Sequence, residues 1–282
     1  MKERMIRRWE SLTRAQVQSI FESARPEDYA KGGFSDGPYM PPFADELCGR
    51  TIRFCFDDRE PLEYRFVDRH TLVWCGADGV PHEEYYAAHP SSRAGVYFVQ
   101  HVIRPSKPPQ CRTIVFDETA RLVTLCAAHL DNGIEAREVA HEFFFGYLDD
   151  GNPPPESRHG FTKDLIGRAI EWTYKHDDFH VKHIYSSEYY YTYAMLRGDG
   201  CWMASNPADF VKIADDLYIF TFLEERQVGT QGFFLMDLQK MHDVGSFFGI
   251  NVERKLECYT VGAKGVFVSS ATCFDPPDGL WK

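Results

Sequence analysis

From residue 51 onward the chain alternates. TIRFCF (51–56), LEYRF (62–66) and TLVWC (71–75) each place apolar side chains at every second position, the period of a strand that buries one face and wets the other. Acidic, Gly and Pro positions separate them, as hairpin turns require. Longer segments of the same kind follow at GVYFVQHVI (95–103) and IVFD (114–117). The pattern then starts again. With Gly49 set on Gly167, GRTIRFCF meets GRAIEWTY without a gap, and one inserted residue later LEYRF falls on VKHIY (181–185) and TLVWC on YYTYA (190–194). GVYFVQHVI meets DLYIFTFLE (216–224) and IVFD meets FLMD (234–237), so order and spacing persist over about 90 residues and the chain reads as a duplication.

Two stretches show helical spacing instead. LTRAQVQSIFESA (12–24) predicts a helix near the start, and GIEAREVAHEFFFGYL (133–148) predicts one that closes the first copy before the polar, Pro-rich DDGNPPPESRHG. The expected organisation is a helical segment at 1–40, a first barrel at 41–148, a linker at 149–160, and a second barrel with a C-terminal extension at 161–282. Sequential hairpins in a unit of this size favour an up-and-down antiparallel barrel, because closure removes unpaired strand edges. The fold class is therefore all-β, two tandem barrels with a few short helices. About eight strands enclose room for side chains or one small ligand.

Composition narrows the partners. The 44% apolar and 15% aromatic content can fill two cores, and the formal charge of −11 repels phosphate backbones and anionic lipid. Nucleic acid and membrane are not expected. The basic MKERMIRR is followed by no apolar signal region, and no run reaches the roughly 18 apolar residues of a membrane span. A cytoplasmic protein is expected, and its eight cysteines, none within six positions of another, read as reduced thiols. The partners in view are a small-molecule ligand and, where the chain self-associates, a second copy.

The duplicated pattern, with its DLIGR start to the second half, resembles the MoaF family, a pair of lipocalin-like barrels, over about residues 41–250. The second copy is also similar to bacterial phenolic acid decarboxylases, single lipocalin-like barrels that cleave carbon dioxide from hydroxycinnamic acids without a cofactor. That similarity implies site residues position by position. Their Tyr-Thr-Tyr strand, whose phenols hold the substrate carboxylate, is Trp172-Thr173-Tyr174 here, so one phenol is replaced. Their Gly-Arg-Trp is Gly200-Cys201-Trp202, without the arginine. Their catalytic glutamate, six residues after a Tyr on an aromatic strand, is Glu224 after Tyr218.

The residues speak for themselves as well. LYIFTFLE sets Tyr218, Phe220, Phe222 and Glu224 on one strand face, so a carboxyl ends an aromatic row; facing a barrel interior, it is suited to give and take a proton. The plainer alternative leaves Glu224 in water at a strand end. Tyr174, Tyr185, Tyr191, Tyr193 and His183 lie on strands expected to be neighbours, and phenols could stabilise an enolate or phenolate as it forms. Aromatic residues also simply fill barrels, but the five Tyr of YSSEYYYTY (185–193) are a concentrated demand for hydrogen-bond partners. The first copy has Phe54 and Phe56 where the second has Trp172 and Tyr174, and Ile103 at the place of Glu224. Its interior reads as apolar, with His101 beside the position of Phe222 as a hydrogen-bonded core residue, and the first barrel as structural or a secondary pocket. His176, His180 and His183 suggest alternate exposure across a hairpin more than a metal set, and no Gly-rich phosphate loop or G-x-S-x-G elbow appears.

These readings converge on a cofactor-independent enzyme of lyase, isomerase or cyclase type. Glu224 is the expected proton shuttle and Tyr174 the oxyanion donor, with Trp172, His183, Tyr185, Tyr191, Tyr193, Cys201, Trp202, Phe220 and Phe222 around a small oxygenated aromatic or unsaturated molecule. A non-catalytic lipocalin-like binding protein and a purely structural module are the alternatives.

Overall fold

Gly49 and Gly167 open the two copies in the same way. Both are left-handed, at φ +82° and +85°, and each donates its N–H to the end of the second strand of its copy, to Phe66 O at 2.6 Å and Tyr185 O at 2.8 Å. Leu47 and Leu165, two residues earlier, are both fully buried. The computed structural model describes residues 10–32, 35, 37–104, 106–175, 179–197, 203–224 and 229–270.

The first copy is a closed barrel of β1 (Thr51–Phe56), β2 (Leu62–Phe66), β3 (Thr71–Cys75), β4 (Pro81–Pro90), β5 (Val96–Ile103), β6 (Gln110–Asp117), β7 (Leu122–Leu130) and β8 (Val139–Leu148). Each strand pairs antiparallel with the next, and β1 closes on β8 with Phe54 opposite Leu148. A two-residue strand, β9 (Gly160–Phe161), precedes the second copy. There β10 (Arg168–Lys175), β11 (Phe179–Tyr185), β12 (Tyr190–Arg197), β13 (Met203–Ala214), β14 (Leu217–Leu223), β15 (Thr230–Asp237), β16 (His242–Ile250) and β17 (Leu256–Ser270) run in sequence. Pairing of β12 with β13 and of β10 with β17 closes this barrel too, and β9 adds to the far part of β13.

The helix expected at 133–148 is a strand. Residues 139–148 form β8, which fills the gap between β7 and β1. The run misleads because both faces are apolar: Phe144 packs on the barrel core, while Phe143 and Phe145 stack edge-on against Phe161 outside it. Gly146 lets β8 approach β1, since a Cβ there would stand 2.9 Å from the Cys55 carbonyl carbon. The expected N-terminal helix is present as α1 (Arg14–Ser23), with Thr13 and Gln16 exchanging capping bonds. Its Val17 and Phe21 pack with Val102 and Cys111 of the first barrel and Phe248 and Ile250 of the second.

Alternation of burial is clean on β1 and β2 and vanishes on β5, β6 and β15, whose residues are nearly all buried. The equivalent strands of the two barrels pack back to back there, Val96, Phe98 and Val115 against Ile219, Phe233 and Leu235, so each strand has a core on both faces. Cys48, Cys55, Cys75, Cys111, Cys126 and Cys258 are unbridged; Cys201 and Cys273 lie outside the described residues. No helix among the described residues is long and apolar enough to cross a membrane.

Candidate functional site

The aromatic row of β14 faces inward. Tyr218, Phe220 and Phe222 are at most 6% exposed and belong to the core of the second barrel, with Glu224 half-buried just past the strand end. β13 and β12 lie beside β14 in turn, which brings Asn206 and Tyr193 to the same spot. Tyr193 Oη donates to Glu224 Oε2 at 3.0 Å, and Asn206 Nδ2 donates to the same oxygen at 3.2 Å. Among the described residues these two donors meet on one oxygen and fix the direction of the carboxyl.

Around this cluster the structure brings together Tyr191, His183, Phe220 and Phe222 of the expected set. Tyr191 stacks on Tyr193 at 5.9 Å and meets Phe220 edge-on at 4.6 Å. His183, opposite Tyr193 on β11, packs against Tyr191 and Phe220. Burial pushes its imidazole down to about 3, so it is neutral at ordinary pH, and its Nδ1 is buried with no hydrogen-bond partner among the described residues. An orphaned ring nitrogen costs on the order of 1–3 kcal/mol, a penalty that a ligand hydroxyl or carbonyl could cancel. Tyr185 Oη accepts from Trp172 Nε1 at 3.4 Å and lies 3.1 Å from Met236 Sδ. Trp172 itself leans on Gly265, where a Cβ would come within 2.7 Å of the indole. Cys201 and Trp202 lie outside the described residues.

Tyr174 has a partner that the alternation pattern does not reveal. Its phenol donates to Asp243 Oδ2 at 3.3 Å, while Asp243 Oδ1 accepts the Ala263 N–H at 2.7 Å. Burial pushes this carboxyl up to about 7 and the Tyr174 phenol upward as well, the latter reinforced by the neighbouring Asp243 charge. In the first barrel β7 and β8 set Val123 across Gly146 from Phe56, and Asp243 stands six residues after Asp237 as Val123 stands six after Asp117. Hydroxyl and carboxyl therefore arise together, at the places of Phe56 and Val123. Extending the internal alignment past IVFD and FLMD would have exposed Asp243, and extending it to β4 and β13 would have exposed Asn206.

The first barrel corrects the expectation of an apolar interior. Phe54 and Phe56 do line it, but Tyr64, Glu84, His101 and Arg112 are buried within it as well. His101 is hydrogen-bonded, its Nε2 lying 3.1 Å from Tyr64 Oη.

Comparison with known proteins bears on both copies. Residues 26–132 match the MoaF N-terminal domain and residues 159–271 the MoaF C-terminal domain. A Burkholderia vietnamiensis chain provisionally described as a beta-lactamase aligns at 13% identity over 37% of this chain and 95% of its own, with a TM-score of 0.30, too low to carry any argument. Protein MoaF of Klebsiella aerogenes is 32% identical over 215 residues, which span 71% of this chain and 78% of that protein. With both halves matched and that relative aligned across the two barrels, the chain belongs to the MoaF family.

Proposed function

We propose that the second barrel binds a small oxygenated aromatic or unsaturated molecule and moves a proton on it without a cofactor, by lyase, isomerase or cyclase chemistry. The observation that carries this reading is the Glu224 carboxylate, held by Tyr193 and Asn206 at the end of an interior aromatic row. A carboxylate aimed by two donors is a positioned base; once protonated it can return the proton to a neighbouring carbon or oxygen. Tyr193, rather than Tyr174, is the phenol beside Glu224; its single proton rests on the carboxylate and can turn to a developing oxyanion once Glu224 has taken up the ligand's proton. The orphaned Nδ1 of His183, opposite Tyr193, supports a polar ligand group within reach. Tyr174 and Asp243 form a second acid pair, whose carboxyl burial pushes up to about 7.

Incubation with hydroxycinnamic acids and enolisable keto acids in deuterium oxide, followed by proton NMR, tests the reading. The wild-type protein should exchange a ligand C–H or form product, and Glu224→Gln should slow this by about 10²–10⁴-fold. Saturable binding without exchange or product for every compound would replace the enzyme with a non-catalytic lipocalin-like binding protein.

A further inference from the structure

We propose that the first barrel holds, between Arg112 and Arg59, a binding site for the carboxylate of a small planar acid. The inference does not rest on the reading of the second barrel, and its failure would leave Glu224 untouched.

Arg112 points inward from β6 and is 7% exposed. Its guanidinium lies 4.0 Å over the Trp74 ring, and its Nη1 donates to Tyr64 Oη at 3.2 Å. Tyr64 can only accept, because its single proton goes to His101. The His101 Nδ1 is 3.1 Å from the Val102 carbonyl, so it carries the ring proton and leaves Nε2 to receive the Tyr64 hydroxyl. This relay occupies one of the five N–H donors of Arg112. Arg59, on the turn between β1 and β2, leans over the rings of Phe144 at 4.6 Å and Phe56 at 5.6 Å, and its Nε is buried without a partner among the described residues.

The two guanidiniums feel one another's charge, Arg112 buried and Arg59 half-buried, and among the described residues neither forms an ion pair. Burial, and next the charge of Arg112, hold the Arg59 guanidinium below its ordinary value. Two carboxyls stand near. Glu84, on β4, accepts the Arg104 N–H at 2.6 Å, is pushed up to about 7 by burial, and among the described residues forms no ion pair with either guanidinium. Glu142, on β8, is exposed. An uncompensated buried cation is strongly destabilising, and an anion between the two forks would relieve it.

The fold itself does not call for these charges. At the same positions the second barrel has Gly232 for Arg112 and Phe222 for His101, and closes around apolar rings. The shape of the charged group follows from what is left open. Planar forks bind a carboxylate with two parallel bonds, and the walls beside them are the flat rings of Trp74, Phe56 and Phe144, which suit an aromatic or conjugated acid.

Calorimetric titration with benzoate, trans-cinnamate, methyl cinnamate and inorganic phosphate tests the assignment. The two acids should bind, more weakly as salt is raised, and the ester should not. Arg112→Met and Arg59→Gln should each weaken the acids by at least about tenfold. Should Arg112→Met unfold, Arg59→Gln decides, since Arg59 stands on a turn and carries no ladder bond. Acids that bind both variants as tightly as the wild type occupy another site, and the proposal falls. It falls equally if no acid binds, or if phosphate binds and the carboxylates do not.

Discussion

Arg112 in the first barrel and Gly232 in the second occupy the same place in the repeat, Arg112 opposite His101 and Gly232 opposite Phe222. Where one barrel runs a charged side chain across its interior, the other lays an aromatic ring into the vacated space. A Cβ on Gly232 would stand 2.5 Å from Phe222 Cζ. This exchange separates a cationic interior from one whose buried charges are acidic.

Gly232→Ala should accordingly lower stability by about 1–3 kcal/mol, because Phe222 is packed against Tyr191 and Phe234 and has little room to withdraw. Urea unfolding at pH 7 measures it. A loss below about 0.5 kcal/mol would mean that the ring can move aside.

The two phenols that face carboxyls should behave differently. Tyr193→Phe removes a donor from Glu224, so any proton-transfer activity should drop by about tenfold or more while stability changes by roughly 1 kcal/mol. Tyr174→Phe leaves a buried Asp243 without its phenol, so stability should fall by about 1–3 kcal/mol with a smaller effect on turnover. Parallel rates and melting temperatures for the two variants check the contrast, and equal loss of activity in both would restore Tyr174 to the reaction.

Asp243 should leave a mark on the pH dependence of stability. Its folded value is raised from 3.8 to about 7, so the native state binds the proton more tightly than the unfolded chain does. That contribution is complete below about pH 4 and is lost as pH rises through about 7. Asp243→Asn removes the titration, so its stability relative to wild type should improve from pH 5 to pH 8, by an amount on the order of 2–4 kcal/mol. Denaturant curves at the two pH values decide it; a constant difference would show that Asp243 is not buried as a protonated acid.

Gly49→Ala and Gly167→Ala should cost similar amounts, about 1–2 kcal/mol each, because both residues are left-handed and nothing crowds a Cβ at Gly49. Thermal melts of the two single variants compare them. Near-neutral behaviour at either position would break the equivalence of the two copies at this turn.

The duplication, the antiparallel strands and the inward row ending in Glu224 are legible in the amino-acid order alone, because period-2 burial and turn residues are local properties written at every second position. GRTIRFCF and GRAIEWTY align residue for residue, and β1 and β10 lie where that alignment puts them. Other features arise only when distant strands meet. Residues 139–148 are apolar on both faces, so local spacing fits a helix, and only the need to close β1 against β7 makes them β8. Which carboxyl each phenol meets depends on the stagger of strands distant in sequence: Tyr193 reaches Glu224 from 31 residues away, and Tyr174 reaches Asp243 from 69. The charge in the first barrel is hidden from local patterns for the same reason. Arg59 lies in a turn and Arg112 in a strand buried on both faces, and nothing short of barrel closure brings two guanidiniums toward one another among Trp74, Phe56 and Phe144.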